Sequence, residues 1–148
     1  MSSSYVDTSA LAKWYLDEPG ADEFAAFMQT TPQVLTSRLV LVEMRCLLAR
    51  RRRAGDLSRD EELATYSLFT DQVAQGYVSV RPVPDALYAS ARELIDRLTG
   101  IALRTLDALH LAAAQAVGAR ELATADRVMG DAAQALGLQL RYFGAPGG

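Results

Sequence analysis

Apolar residues along this chain alternate between two spacings. Short β-like runs are followed by stretches with the three-to-four-residue recurrence of an amphipathic helix. Ser4-Tyr5-Val6 reads as a first short strand. Thr8 or Ser9 then caps a helix over Ala10 to Asp17, which Pro19-Gly20 ends. A second helix covers roughly Ala21 to Gln29. Gln33 to Thr36 follows as a strand, and Ser37 caps a long helix, Arg38 to Ala54, stopped by Gly55. Ser58 and Glu61 have capping-box spacing and open a helix to about Gln75. Tyr77 to Val83 alternates like a strand. Asp85 caps a helix to Thr99, and Thr105 starts an alanine-rich helix ending near Gly118. Glu121 to Thr124 is a strand, Asp126 opens a helix to Leu136, and Leu138 to Tyr142 is a last strand before a frayed tail, Gly144 to Gly148.

Strands separated by helices require crossover connections, and hence a parallel sheet covered on both faces. The expected fold is therefore α/β, a three-layer α/β/α arrangement around a short central parallel sheet. Ligands of such folds sit beyond the carboxyl ends of the strands. Asp7 and Asp126 both directly follow predicted strands, so they are expected to meet at one edge of the sheet.

Composition narrows the picture further. The 148 residues fit one domain, 1–148. Cys46 is the only cysteine, so the chain makes no internal disulfide, and a reducing cytoplasm is the simplest location. The first residues lack the basic and apolar regions of a signal peptide, and no apolar run is long enough to span a membrane. A net charge of −3 would argue against nucleic acid if charge were spread evenly. Four of the fifteen basic residues are contiguous, however, at Arg50 to Arg53, and it is clustering that matters for binding phosphate.

Four acids each interrupt an apolar stretch: Asp7, Glu43, Asp107 and Asp126. On helix spacing Glu43 shares a face with Leu39, Cys46, Leu47 and Arg50, and Asp107 shares one with His110, Leu111 and Ala114. A bare carboxylate on an apolar face is costly to bury. Each has a plain explanation when taken alone. Asp7 and Asp126 can be helix caps, Glu43 can pair with Arg50, and Asp107 can be a first-turn acid favoured by the helix dipole. Taken together, four carboxylates suit one or two Mg²⁺ or Mn²⁺ ions, which would relieve their repulsion and could activate water for phosphodiester hydrolysis. His110 is read as a packing or supporting residue, and Cys46 as a small core residue. Trp14, Tyr15 and Leu16 are read as core or dimer contacts. Arg50 and Arg51 could face RNA, form a solvated helix end, or meet a protein partner.

These residues carry a family resemblance. Tyr5-Val6-Asp7-Thr8-Ser9-Ala10-Leu11, the break at Glu18-Pro19-Gly20, Val42-Glu43, the segment Arg104 to Ala114 around Asp107, and Leu122-Ala123-Thr124-Ala125-Asp126 together resemble a PIN-domain ribonuclease, most closely the VapC-type toxins. The likeness runs from about residue 4 to 143. It implies a PIN-like fold and Mg²⁺- or Mn²⁺-dependent endoribonuclease activity with Asp7, Glu43, Asp107 and Asp126 as the metal-binding, catalytic acids. Thr8 and Thr124 match hydroxyls that support such acids. The resemblance further implies an RNA substrate such as tRNA or rRNA, a VapB-like antitoxin partner and a homodimer. One departure stands out: where many relatives carry a further acid two or three positions past the fourth, this chain has Val128 and Met129, and Asp131 comes too late. The rival readings are a binding module of the same fold that does not cut, a housekeeping RNA-processing nuclease, and a phosphatase with Asp7 as nucleophile. The last lacks its usual second acid, since Ser9 stands in that place.

Overall fold

The computed structural model describes residues 3–145, so the last part of the expected frayed tail, 146–148, lies outside the described residues. Its elements are β1 (Ser3–Val6), α1 (Thr8–Leu11, running into a 3-10 turn at Ala12–Trp14), α2 (Ala21–Thr30), β2 (Gln33–Ser37), α3 (Leu39–Arg53), α4 (Arg59–Ala74), β3 (Ser79–Arg81), α5 (Ala86–Arg97), α6 (Thr105–Ala116), β4 (Glu121–Thr124), α7 (Arg127–Ala135) and β5 (Gln139–Tyr142). The five strands form one parallel sheet in the order β3-β2-β1-β4-β5. The expected three-layer α/β/α fold is the one observed.

Strand alternation divides the core between the two faces. Tyr5, Leu35 and Leu122 face a cluster built with Leu87, Leu94, Leu111, Met129 and the alanines of α6 and α7. Val6, Val34 and Ala123 face the other, with Leu11, Phe24, Phe27, Met44, Leu48, Phe69 and Phe143. The alanine-rich sequence of α6 is explained by this packing: eight consecutive residues, 107–114, are buried, which leaves little room for larger side chains.

Several boundaries differ from expectation for physical reasons. The first helix is capped by Asp7, whose side chain accepts from Ala10 N–H, and not by Thr8 or Ser9, whose hydroxyls are engaged elsewhere. Ser37 does not cap α3; its hydroxyl accepts from Tyr5. β3 ends at Arg81 because Pro82 has no N–H to offer a neighbouring strand. Asp85 precedes α5 without making a cap hydrogen bond. Ser58 and Glu61 do form the expected capping box on α4.

Two arginines of α3, Arg45 and Arg52, fasten it to Glu62 of α4, which also pairs with Arg59 of its own helix. Glu62 is fully covered, and its carboxylate receives Arg45 (2.8 Å), Arg52 (2.6 Å) and Arg59 (2.9 Å). Arg45 above all, with the other two, pulls its pKa down to about 2 from an ordinary 4.5. A depressed carboxyl pKa stabilises the fold above the unfolded-state value, and that stabilisation disappears as pH falls through the folded-state value. Thermal melts of Glu62→Gln should therefore show a lower Tm than the parent at neutral pH, with the gap closing between about pH 4.5 and pH 2. A gap that stayed constant across this window would mean the carboxylate's charge is not what holds the two helices.

Candidate functional site

The strand order changes direction beside β1: the chain moves outward to β2 and β3, then returns to place β4 on the other side. β1 and β4 are adjacent and parallel, with Val6 paired to Ala123. Asp7 and Asp126 leave their carboxyl ends, at the kind of switch point where open α/β sheets bind ligands. Glu43 arrives from α3 and Asp107 from the first turn of α6. All four acids line one cavity of about 560 Å³, together with Thr8, Ser9, Cys46, Arg50, Arg104 and His110.

Each acid is held differently. Asp7 is only 4% exposed. One carboxylate oxygen accepts from Ala10 N–H (3.0 Å) and the Ser9 hydroxyl (2.7 Å), and the other from the Thr124 hydroxyl (2.6 Å). Burial nevertheless dominates and pushes its pKa up, against the pull of His110, Thr124, Ala10 and Ser9. Its negative charge is thus under-compensated by the protein. Burial would raise Glu43 as well, but there the hydrogen bond and charge of His110, with the Thr8 hydroxyl, win and lower it. The Thr8 hydroxyl donates to Glu43 Oε1 at 2.8 Å, and His110 Nε2 closely approaches the same oxygen. The other His110 ring nitrogen, Nδ1, lies 2.7 Å from the Tyr5 hydroxyl, which donates to Ser37. A buried polar chain thus runs from the core to Glu43.

Asp107 and Asp126 share one partner. Arg104 directs its backbone N–H (3.2 Å) and Nε (3.3 Å) to Asp107 Oδ2, and its Nη2 to Asp126 Oδ2 (3.2 Å). Asp126 also caps α7 by accepting from Val128 N–H, and its own N–H donates to the Thr124 hydroxyl. Val128, in one of the places where a further acid was missing, therefore contributes only its backbone N–H here. Met129, in the other, is buried against the cavity.

The donor set tests well for a hard cation in kind: four carboxylates, all oxygen, one of them buried with its charge poorly compensated. As the side chains stand, no three of His, Cys, Asp or Glu among the described residues converge closely enough to hold a metal ion. In this arrangement Arg104 pairs with Asp107 and Asp126, and His110 with Glu43.

The sequence reading placed all four acids in one place, and the hydroxyls of Thr124 and Thr8 do contact Asp7 and Glu43. Of the two arginines for which RNA contact was one of three readings, Arg50 is on the cavity wall, whereas Arg51 pairs with Glu18 (2.5 Å). Cys46 was expected in the core and is instead exposed on the cavity wall, because the face of α3 that carries Glu43 looks into the cavity. Ser9 was read only as a cap. Its hydroxyl in fact joins two segments, donating to Asp7 and accepting from Ala125 N–H, 3.2 Å from Thr124 Oγ1. Arg104 was seen as part of a motif without a role; its signal was the spacing of three residues to Asp107.

The family model that matches the chain is the PIN domain, over residues 4–135. No curated protein matches the sequence. Among solved structures, the chain is similar to the VapC20 toxin of Mycobacterium tuberculosis, described as cleaving the sarcin-ricin loop (23% identity, TM-score 0.70, 91% of this chain and 95% of that one). It is similar to VapBC2 of Rickettsia felis bound to a promoter DNA fragment (14%, TM-score 0.66, 95% and 98%), and to a toxin-antitoxin complex from Klebsiella pneumoniae (19%, TM-score 0.55, 83% and 86%). At these identities the likeness is one of fold.

Proposed function

This chain belongs to the PIN-domain family, and from that premise we propose that it is a divalent-metal-dependent endoribonuclease, the VapC-like toxin of a toxin–antitoxin pair, with residues 1–148 as one nuclease domain. The observation that carries the reading is the meeting of Asp7, Glu43, Asp107 and Asp126, from four separate elements, in one cavity at the switch point of the sheet. Four carboxylates drawn together, one of them buried, are a poor structural device and suit a hard cation.

Asp7, Glu43, Asp107 and Asp126 would hold Mg²⁺, with Mn²⁺ as a substitute. The bound cation would supply the charge that activates water and offsets negative charge developing on the phosphodiester. The protein's own part is orientation. Ser9, Thr124 and Ala10 N–H fix both oxygens of Asp7, and Thr8 and His110 fix Glu43 from two sides. The Thr8 and Ser9 hydroxyls serve to orient Glu43 and Asp7, and water is the nucleophile, leaving a 3′-hydroxyl and a 5′-phosphate. Arg50 on the cavity wall is suited to a backbone phosphate. tRNA or rRNA as substrate, a VapB-like antitoxin, a homodimer and a cytoplasmic location belong to the same proposal. The toxin and complex structures among its fold relatives support the first two, and none of the helices of the described residues is long and apolar enough to cross a membrane.

The test is incubation of total bacterial RNA with protein freed of any copurified partner, in Mg²⁺ and in EDTA. Discrete fragments that form only with the metal are expected. Equal cleavage in EDTA, or intact RNA in Mg²⁺ when the protein binds the metal, would overturn the proposal in favour of metal-free chemistry or of a binding module.

A further inference from the structure

Resting on that reading of the acid cluster, we propose that Arg104 is a resident counter-ion of Asp107 and Asp126, which an incoming divalent cation must displace. Three observations lead there. First, the Arg104 guanidinium bridges acids from two different elements, Asp107 on α6 and Asp126 at the start of α7. The contact to Asp126 joins residues 22 positions apart, whereas that to Asp107 is a local pair at the start of α6; the Arg104 side chain is 77% exposed, while Asp107 is 10% and Asp126 25% exposed. Secondly, the contacts are loose. At 3.3 and 3.2 Å they exceed the roughly 2.7–2.9 Å of a strong charge-assisted hydrogen bond. A side chain so exposed and so weakly tied can leave. Thirdly, no three of His, Cys, Asp or Glu among the described residues converge on one point while Arg104 holds Asp107 and Asp126.

The physical logic is substitution of one cation by another. Two acids at the mouth of a cavity gain from any positive charge, and the chain supplies one on a flexible stem three residues before Asp107. A divalent ion offers twice the charge and accepts several oxygen ligands, so it wins when present at sufficient concentration. Arg104 lowers apparent metal affinity while keeping the metal-free acids in a compensated state.

Calorimetric titration of Mn²⁺ into the parent, Arg104→Gln and Arg50→Gln proteins tests this without reference to RNA. Arg50 lines the same cavity, and among the described residues it forms no ion pair. Arg104→Gln should bind Mn²⁺ about three- to tenfold more tightly, the loss of two partly exposed ion pairs. It should also melt at a lower temperature without metal and show a larger Mn²⁺-dependent rise in Tm. Arg50→Gln should change affinity less than Arg104→Gln. Equal tightening in both variants would reduce the effect to net charge and overturn the inference. So would unchanged or weakened binding in Arg104→Gln, and the metal reading would survive it. Absence of Mn²⁺ binding in all three proteins would overturn the metal reading and the counter-ion role together.

Discussion

In Asp7→Asn protein, RNA cleavage in Mg²⁺ falls by about 10²–10³-fold, in line with removal of a single electrostatic stabiliser from an active site, while the metal-free fold is as stable as the parent or more so. The two halves follow from one side chain. An amide oxygen can still accept from Ala10 N–H and the Ser9 hydroxyl, so the cap on α1 survives. The amide NH₂ faces the Thr124 hydroxyl, which can turn to accept. What is lost is the charge, and burial already disfavours that charge, as the raised Asp7 pKa shows. Removing it costs the metal-free protein nothing and deprives a cation of its most buried ligand. Initial cleavage rates and urea unfolding in EDTA measure the two halves. Parental cleavage would sink the proposed mechanism. A collapse in stability would instead make Asp7 mainly a structural cap.

The largest expected loss of stability lies away from the cavity. Phe24→Ala should destabilise the fold by about 3–5 kcal/mol, as truncation of a fully buried aromatic does. Phe24 has no exposed surface, and its ring meets Phe27 (5.5 Å between centroids) and, edge to face, Phe143 (5.2 Å). Phe143 follows β5, so these contacts tie α2 to the far edge of the sheet. The seat is tight on its other side too. Gly20 has a φ of +92°, and a Cβ there would stand 2.3 Å from the Phe143 carbonyl oxygen. Urea denaturation gives the value directly, and Phe24→Leu, which keeps more of the volume, should cost less. A loss below about 1 kcal/mol for the alanine variant would show that the helix is dispensable to the core.

Much of this protein was legible without coordinates, and for a common reason. Strand and helix periodicity, the Ser58–Glu61 capping box and the stop at Gly55 are local properties, fixed by residues within a turn or two of each other. The four acids were legible for a similar reason: a carboxylate inside an apolar run is locally anomalous wherever it ends up. Of the α3 face that helical spacing assigns to Leu39, Glu43, Cys46, Leu47 and Arg50, the last four line the cavity, while Leu39 packs against the core.

The misjudged details are those in which local competition was settled from afar. Ser37 and Ser9 are reasonable caps by sequence, yet Ser37 is taken by Tyr5 from β1 and Ser9 by Asp7 and Ala125. Cys46 is small and apolar enough for a core, but its helix face opens on the cavity. The sequence by itself determined the elements, the α/β class and the identity of the acids. Only the tertiary structure decided which partner each acid has: Arg104 between Asp107 and Asp126, His110 on Glu43, and burial alone working against Asp7. Charge and burial act through space, and the strand order that brings residues 7 and 126 side by side is what sets those distances.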